Sequence, residues 1–167
     1  AGMTQVNSGT GEGAAGTGLV KLYYSLGLST ATHTIHALKS GGDNNEGNSS
    51  NYTGVQGGLD ANAVKSADGS ADTQCDITTV ADNCWLVLGC GEQGDTLTAT
   101  TGTIRATTSN VWYSVSRGPI TPAGATSITM HCAFSDKFRG VIASFSPTGA
   151  GGGAVSVRPM LTMLGVG

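Results

Sequence analysis

Thr73 to Cys90 reads TQCDITTVADNCWLVLGC, and this stretch decides the fold class. Two alternating runs, 74–79 and 84–90, flank Val80-Ala81-Asp82-Asn83, where Asp and Asn suit a tight turn. A strand sends successive side chains to opposite faces. In the second run Cys84, Leu86, Leu88 and Cys90 therefore share one face, and Trp85 and Val87 share the other. The stretch predicts a β-hairpin, with Cys75 opposite or diagonal to Cys90.

The same alternation recurs downstream. Thr96 to Thr107 is Thr-rich and strand-like, and Val111 to Ser116 forms a further strand. Gly118 to Gly124 (GPITPAG) is expected to be a loop, since proline donates nothing to a ladder. Ala125 to Phe134 sends Ile128, Met130, Cys132 and Phe134 inward and Ser127, Thr129 and His131 outward. Asp136-Lys137 is read as a turn into Arg139 to Ser146, where Val141, Ala143 and Phe145 share a face, and Pro147 ends the run.

Upstream, Met3 to Val6 is a short strand followed by a glycine-rich loop. Leu19 to Leu26 places Val20, Leu22, Tyr24 and Leu26 on one face and is expected to pair with Thr30 to Leu38 as a hairpin. Ser40 to Ser50 reads as a polar loop, Tyr52 to Val55 as a brief strand, and the residues through Asp72 as a loose stretch. Gly149–Gly153 is a flexible linker. Ala154 to Gly167, AVSVRPMLTMLGVG, is an apolar tail that needs a surface to cover it: the domain's own edge or a neighbouring subunit.

The punctuation of eight to ten short strands by glycine, proline and Asx turns predicts an all-β fold, an antiparallel β-sandwich with a C-terminal extended tail. Residues 1–148 form the sandwich, 149–153 the linker and 154–167 the tail. Composition agrees. Glycine fills 27 of 167 positions, and glycine in a helix interior costs up to about 1 kcal/mol relative to alanine. The 38% of hydrophobic residues suffices for a core. The chain carries net charge −3, and its eight Lys and Arg are scattered singly, which argues against nucleic acid as a partner. No apolar run is long enough for a membrane-spanning helix.

Motifs that carry chemistry are thin. Gly11-x-Gly13-x-x-Gly16 has the letters of a dinucleotide fingerprint, but a strand follows where the fingerprint needs a helix. His33 and His36 point to opposite faces of a strand and cannot share one metal. Asp43, Asn45 and Glu46 open like a calcium loop, yet Gly54 stands where the bidentate glutamate belongs. Glu92 and Asp95 read as solvated turn carboxylates rather than a glycosidase pair. No nucleophile elbow and no Cys-x-x-Cys occurs. The expectation is no catalytic residue, no metal and no cofactor. Four cysteines leave a Cys75–Cys90 bridge and free thiols both open. Asn48-Ser49-Ser50 and Asn51-Tyr52-Thr53 match the glycosylation pattern. Trp85 and Trp112 could form a sugar-stacking platform, but Trp85, mid-strand beside the hairpin, reads first as a packing residue.

Three stretches, VKLYYSLGLSTATHTIHAL, then NYTGVQGG leading into DITTVADNCWLVLG, then PAGATSITMHCAFSDKFRGVIASFSP, together resemble jelly-roll-like β-sandwich domains of bacteriophage virion proteins. The resemblance implies a non-enzymatic structural component of a virion, a capsid decoration or tail-associated protein. Its partners would be copies of itself and a major capsid or tail protein. It also implies a domain incomplete at its N-terminus, or completed by another chain. Under this reading Val155, Val157, Met160, Leu161, Met163 and Leu164 of the tail would make the assembly contacts. The alternative is a carbohydrate-binding or adhesive module on a fibre or cell surface. It would use loops near Ser40–Asn51 and Gly91–Asp95, with Trp112 or Tyr113 as the stacking surface.

Overall fold

The computed structural model describes residues 3–6, 19–28, 34–35, 45–52, 55–92, 96–108, 112–147 and 158–166. The described residues are all-β, and every strand pair among them is antiparallel. The strands are β1 (Thr4–Gln5), β2 (Leu19–Leu28), β3 (Asn45–Asn51), β4 (Val55–Thr78), β5 (Cys84–Glu92), β6 (Leu97–Ala99), β7 (Thr103–Thr108), β8 (Trp112–Ile120), β9 (Ala125–Pro147) and β10 (Arg158–Val166). They form a four-stranded sheet ordered β1-β2-β10-β3 and a six-stranded sheet ordered β4-β9-β5-β8-β7, with β6 on β9. The sheets pack face to face as a β-sandwich.

The alternation of β5 is realised on both faces. Leu86, Leu88 and Cys90 enter one apolar cluster with Ile128, Met130 and Cys132, while Val87 enters a second cluster with Val141, Ala143 and Phe145. Both faces of β5 are covered, one by the six-stranded sheet folding over itself and the other by the four-stranded sheet. β9 pairs with β5 through 138–145 and with the end of β4 through 125–131. Between those stretches β9 advances from His131 to Asp136 while β4 moves only from Asp72 to Ser70. The surplus residues in β9 form a bulge, and a bulge bends the strand that carries it. The bend lays Cys75, Ile77, Ile128 and Met130 over the β5–β8 face and encloses the first cluster. The second cluster lies between the sheets, where Val20 and Leu22 of β2 and Val6 meet Val87, Val141 and Phe145. Tyr24 meets Phe145 edge to face at 5.4 Å between centroids.

Several elements depart from the sequence reading. Asp136-Lys137 is not a turn but lies within the continuous β9. The loose stretch before Asp72 is the first part of β4, whose half-buried face is Ala61, Ala63 and Ala67. Alanine is a poor strand former by propensity, so the burial of that face had no compositional signal. Residues 45–50 of the expected polar loop belong to β3, whose backbone pairs with β10 while Asn48 and Ser50 reach the other sheet and Ser49 and Asn51 are exposed. β8 runs on through Pro119 to Ile120, with a register shift against β5 between Cys84 and Leu86. The expected Cys75–Cys90 hairpin does not form, because β4 pairs with β9 and β5 pairs with β8 and β9. Among the described residues β2 pairs with β1 and β10, and Thr34 and Ile35, the described part of the strand expected over 30–38, carry no strand.

The tail is corrected most. Residues 158–166 are β10, inserted between β2 and β3 and bonded antiparallel to both, so of the two covers considered for it the backbone takes the chain's own sheet. Met160, Leu161, Met163 and Leu164 fall at register positions opposite Ser25, Tyr24, Leu22 and Lys21 of β2. Val155, Val157 and the 149–153 linker lie outside the described residues.

Candidate functional site

The clefts of the described surface include the following two. The larger, about 690 Å³, lies in the fold of the six-stranded sheet, between Ala61–Ala63 of β4 and the paired ends Gln74–Thr78 and Ala125–Ser127. Its lining is small and polar, with no aromatic side chain. The smaller, about 400 Å³, sits at the rim where the sheets diverge and is lined by Ser49, Ser50, Asn51, Tyr52, Trp85 and Arg105. Its size and mixture of aromatic and polar groups suit a small ligand.

Cross-sheet hydrogen bonds position the rim. β3 crosses β8 and β7 through Asn48 Nδ2 to Trp112 O at 3.4 Å, Ser50 Oγ with Ser114 Oγ at 3.2 Å, and Thr108 Oγ1 to Gly47 O at 3.1 Å. These carry Ser49, Asn51 and Tyr52 to the end of β5. Trp85 is half-buried against the second cluster, and behind it a Cβ at Gly118 would lie 3.0 Å from indole Cδ2. Glycine at 118 thus lets the ring rest on the β8 backbone. Arg105 is exposed, and its Nε donates to Ser116 Oγ at 2.6 Å, which fixes the guanidinium plane at the mouth. The hydroxyl of Tyr52 is buried and has no hydrogen-bond partner among the described residues.

The aromatic residues expected to stack are occupied elsewhere. Tyr113 is buried in the first cluster and its hydroxyl accepts the Leu97 N–H at 3.1 Å. Trp112 lies on Gly91, where a Cβ would come within 2.1 Å of the ring. Trp85, read as packing, packs and also lines the cleft. Tyr52 was not singled out as a stacking residue, because a lone Tyr after a polar run carries no periodic signal.

The other candidates resolve as structure. Asp60 caps the turn after β4: Oδ2 accepts Val80 N–H at 2.9 Å and Ser144 Oγ–H at 2.7 Å, and Oδ1 accepts Ala81 N–H at 3.1 Å. Burial pushes its carboxyl up, but these bonds outweigh burial and hold it below its ordinary value. Glu92, expected to be solvated, is buried at the end of β5, where it pairs in register with the buried Phe138 of β9. Asp95 lies outside the described residues, as do His33, His36, Asp43 and the glycine fingerprint. His131 is exposed, with Nδ1 2.6 Å from Asp72 Oδ1. Among the described residues no group of three His, Cys, Asp or Glu is placed to hold a metal ion.

Cys75, Cys84, Cys90 and Cys132 are buried free thiols. Burial pushes Cys75 up to about 12 and Cys84 up to about 11, the latter aided by the Asp60 carboxylate. Burial raises Cys90 as well. Thiolate is the reactive form, so these cysteines act as apolar packing groups.

Fold and rim together define an all-β antiparallel sandwich with one small polar-aromatic cleft. In comparisons with protein-family models, curated proteins and solved structures, nothing matches the chain. No helix among the described residues is long and apolar enough to cross a membrane.

Proposed function

We propose that the chain is a non-catalytic building block of a repeating assembly, a virion component of the capsid-decoration or tail-associated kind, whose copies join by exchanging the C-terminal strand. The observation that carries this reading is the position of β10. β2 and β3 share no ladder of their own and are bridged by one strand, bonded to β2 from Arg158 to Val166 and to β3 from Met160 to Val166. A strand in the middle of a sheet, preceded in sequence by a glycine run, can serve as a plug for a slot one strand wide. The slot presents unpaired backbone on both sides when the plug leaves, and an identical strand from a second copy restores every bond. Main-chain pairing supplies the affinity, and repetition across a lattice multiplies it. The resemblance noted above and the scarcity of surface charge are consistent with such a role.

The test is strand complementation. A chain ending at Val157 is mixed with a synthetic RPMLTMLGVG peptide, and the full chain is sized across a concentration series. The reading expects the peptide to bind the shortened chain with one-to-one stoichiometry, and the full chain to form dimers or longer species that the free peptide dissolves. A full chain that stays monomeric at every concentration and ignores the peptide overturns it.

A further inference from the structure

We infer that the rim cleft binds a carbohydrate, and specifically a sugar carrying a carboxylate. This site does not involve β10 and is defined by the side chains the cleft brings together. Sugars are recognised by an apolar ring against their C–H face and by fixed hydrogen-bonding groups at their hydroxyls. Trp85 supplies the ring, half-buried and braced by the backbone at Gly118, so it is ordered before a ligand arrives. Tyr52 adds a second aromatic side chain to the lining. Ser49, Ser50 and Asn51 line it along one strand, with Ser50 held by its bond to Ser114 of the other sheet and Ser49 and Asn51 exposed beside it. An amide both donates and accepts, as a vicinal diol requires.

Arg105 decides between neutral and acidic sugars. It is exposed, lines the cleft and is oriented by Ser116 through Nε, which leaves the Nη edge to face a ligand. A guanidinium presents paired donors to a carboxylate in a two-pronged geometry. No carboxylate lines this cleft among the described residues, while the chain as a whole is acidic at net charge −3. An isolated fixed cation beside an aromatic ring on an acidic protein selects an anionic ligand of small size. The larger cleft near Gln74 lacks both ring and cation and gains no such preference.

The experiment uses the full chain on a glycan array carrying matched uronic-acid and neutral hexose oligosaccharides, followed by calorimetry on the best pair. The expected result is binding of the uronic-acid member with roughly tenfold preference over its neutral counterpart, the size of effect that one charge-assisted hydrogen bond carries. Arg105→Ala should erase that preference and keep residual binding, and Asn51→Ala should weaken both members. Both residues are exposed, so neither variant threatens the fold. In a Trp112→Phe background Trp85 is the remaining tryptophan, and its emission should shift on saturation with the uronic-acid sugar. No binding to any array member overturns the inference, as does binding that Arg105→Ala and Asn51→Ala leave unchanged. Binding without preference for the acidic member overturns the assignment of Arg105.

Discussion

The two apolar clusters occupy opposite faces of the same strands but are closed in different ways. Every buried residue of the first belongs to the six-stranded sheet, so backbone ladders join the walls around it. The second takes Val6, Val20 and Leu22 from the four-stranded side and the rest from the six-stranded side. Side-chain packing and a few cross-sheet hydrogen bonds join its walls, and no ladder crosses between the sheets. The first cluster is therefore a continuous backbone structure, and the second is a contact between two separable bodies. Stability and exchange are divided accordingly, because the four-stranded sheet can open without cutting the ladders that hold the six-stranded one.

The sharpest way to break the comparison is to hollow out each cluster from the same strand. Leu88→Ala, in the first, should cost about 2–5 kcal/mol in urea denaturation, since a fully buried leucine leaves a cavity behind. It should also speed alkylation of Cys75, Cys90 and Cys132, which share that cluster. Gly91→Ala presses a methyl into the Trp112 ring, and overpacking of this kind costs roughly 1–3 kcal/mol. The Trp112 emission should move to the red as the indole is displaced. Val87→Ala, on the other face of β5, should cost roughly 1–2 kcal/mol. Hydrogen exchange should then quicken in β2 and β10 first, with β5 and β8 still protected. Equal loss of protection in both sheets would show that they open together.

Asp60→Asn probes the turn that leads into β5 and should cost on the order of 1 kcal/mol at neutral pH. Its sign with pH follows from the depressed folded value. The stabilisation is complete above the ordinary 3.8 and disappears as pH falls through the lower folded value, so the acid limb should flatten in the variant. The smallest effect belongs to Val64→Thr on the exposed side of β4, expected within about ±0.5 kcal/mol.

The first cluster was largely legible in the sequence. Leu86, Leu88 and Cys90, and Ile128, Met130 and Cys132, announce their face by strict alternation of large apolar residues, and the structure buries them all. The four-stranded sheet was not, because β3 is Asn45–Asn51, a polar strand whose place is set by backbone pairing with a strand more than a hundred residues away. Register of that kind leaves no periodic trace in the local sequence. The connectivity around Cys75 was misread for a related reason: a good turn between two strands says that the chain reverses, not that the strands become neighbours. The cleft was half visible. Trp85 and the Ser/Asn run each stood out, but their meeting depends on β3 crossing β8, which only the three-dimensional arrangement shows.

The bulge in β9 has a consequence for how the molecule comes apart. A straight ladder of more than twenty residues would peel from one end as a single zipper. Here the pairing of β4 with β9 loses register between His131 and Asp136, so a tear that starts at Ala125 meets a natural stop before it reaches Val141. The long ribbon behaves as two fasteners in series, and the outer flap can lift while the inner one stays shut.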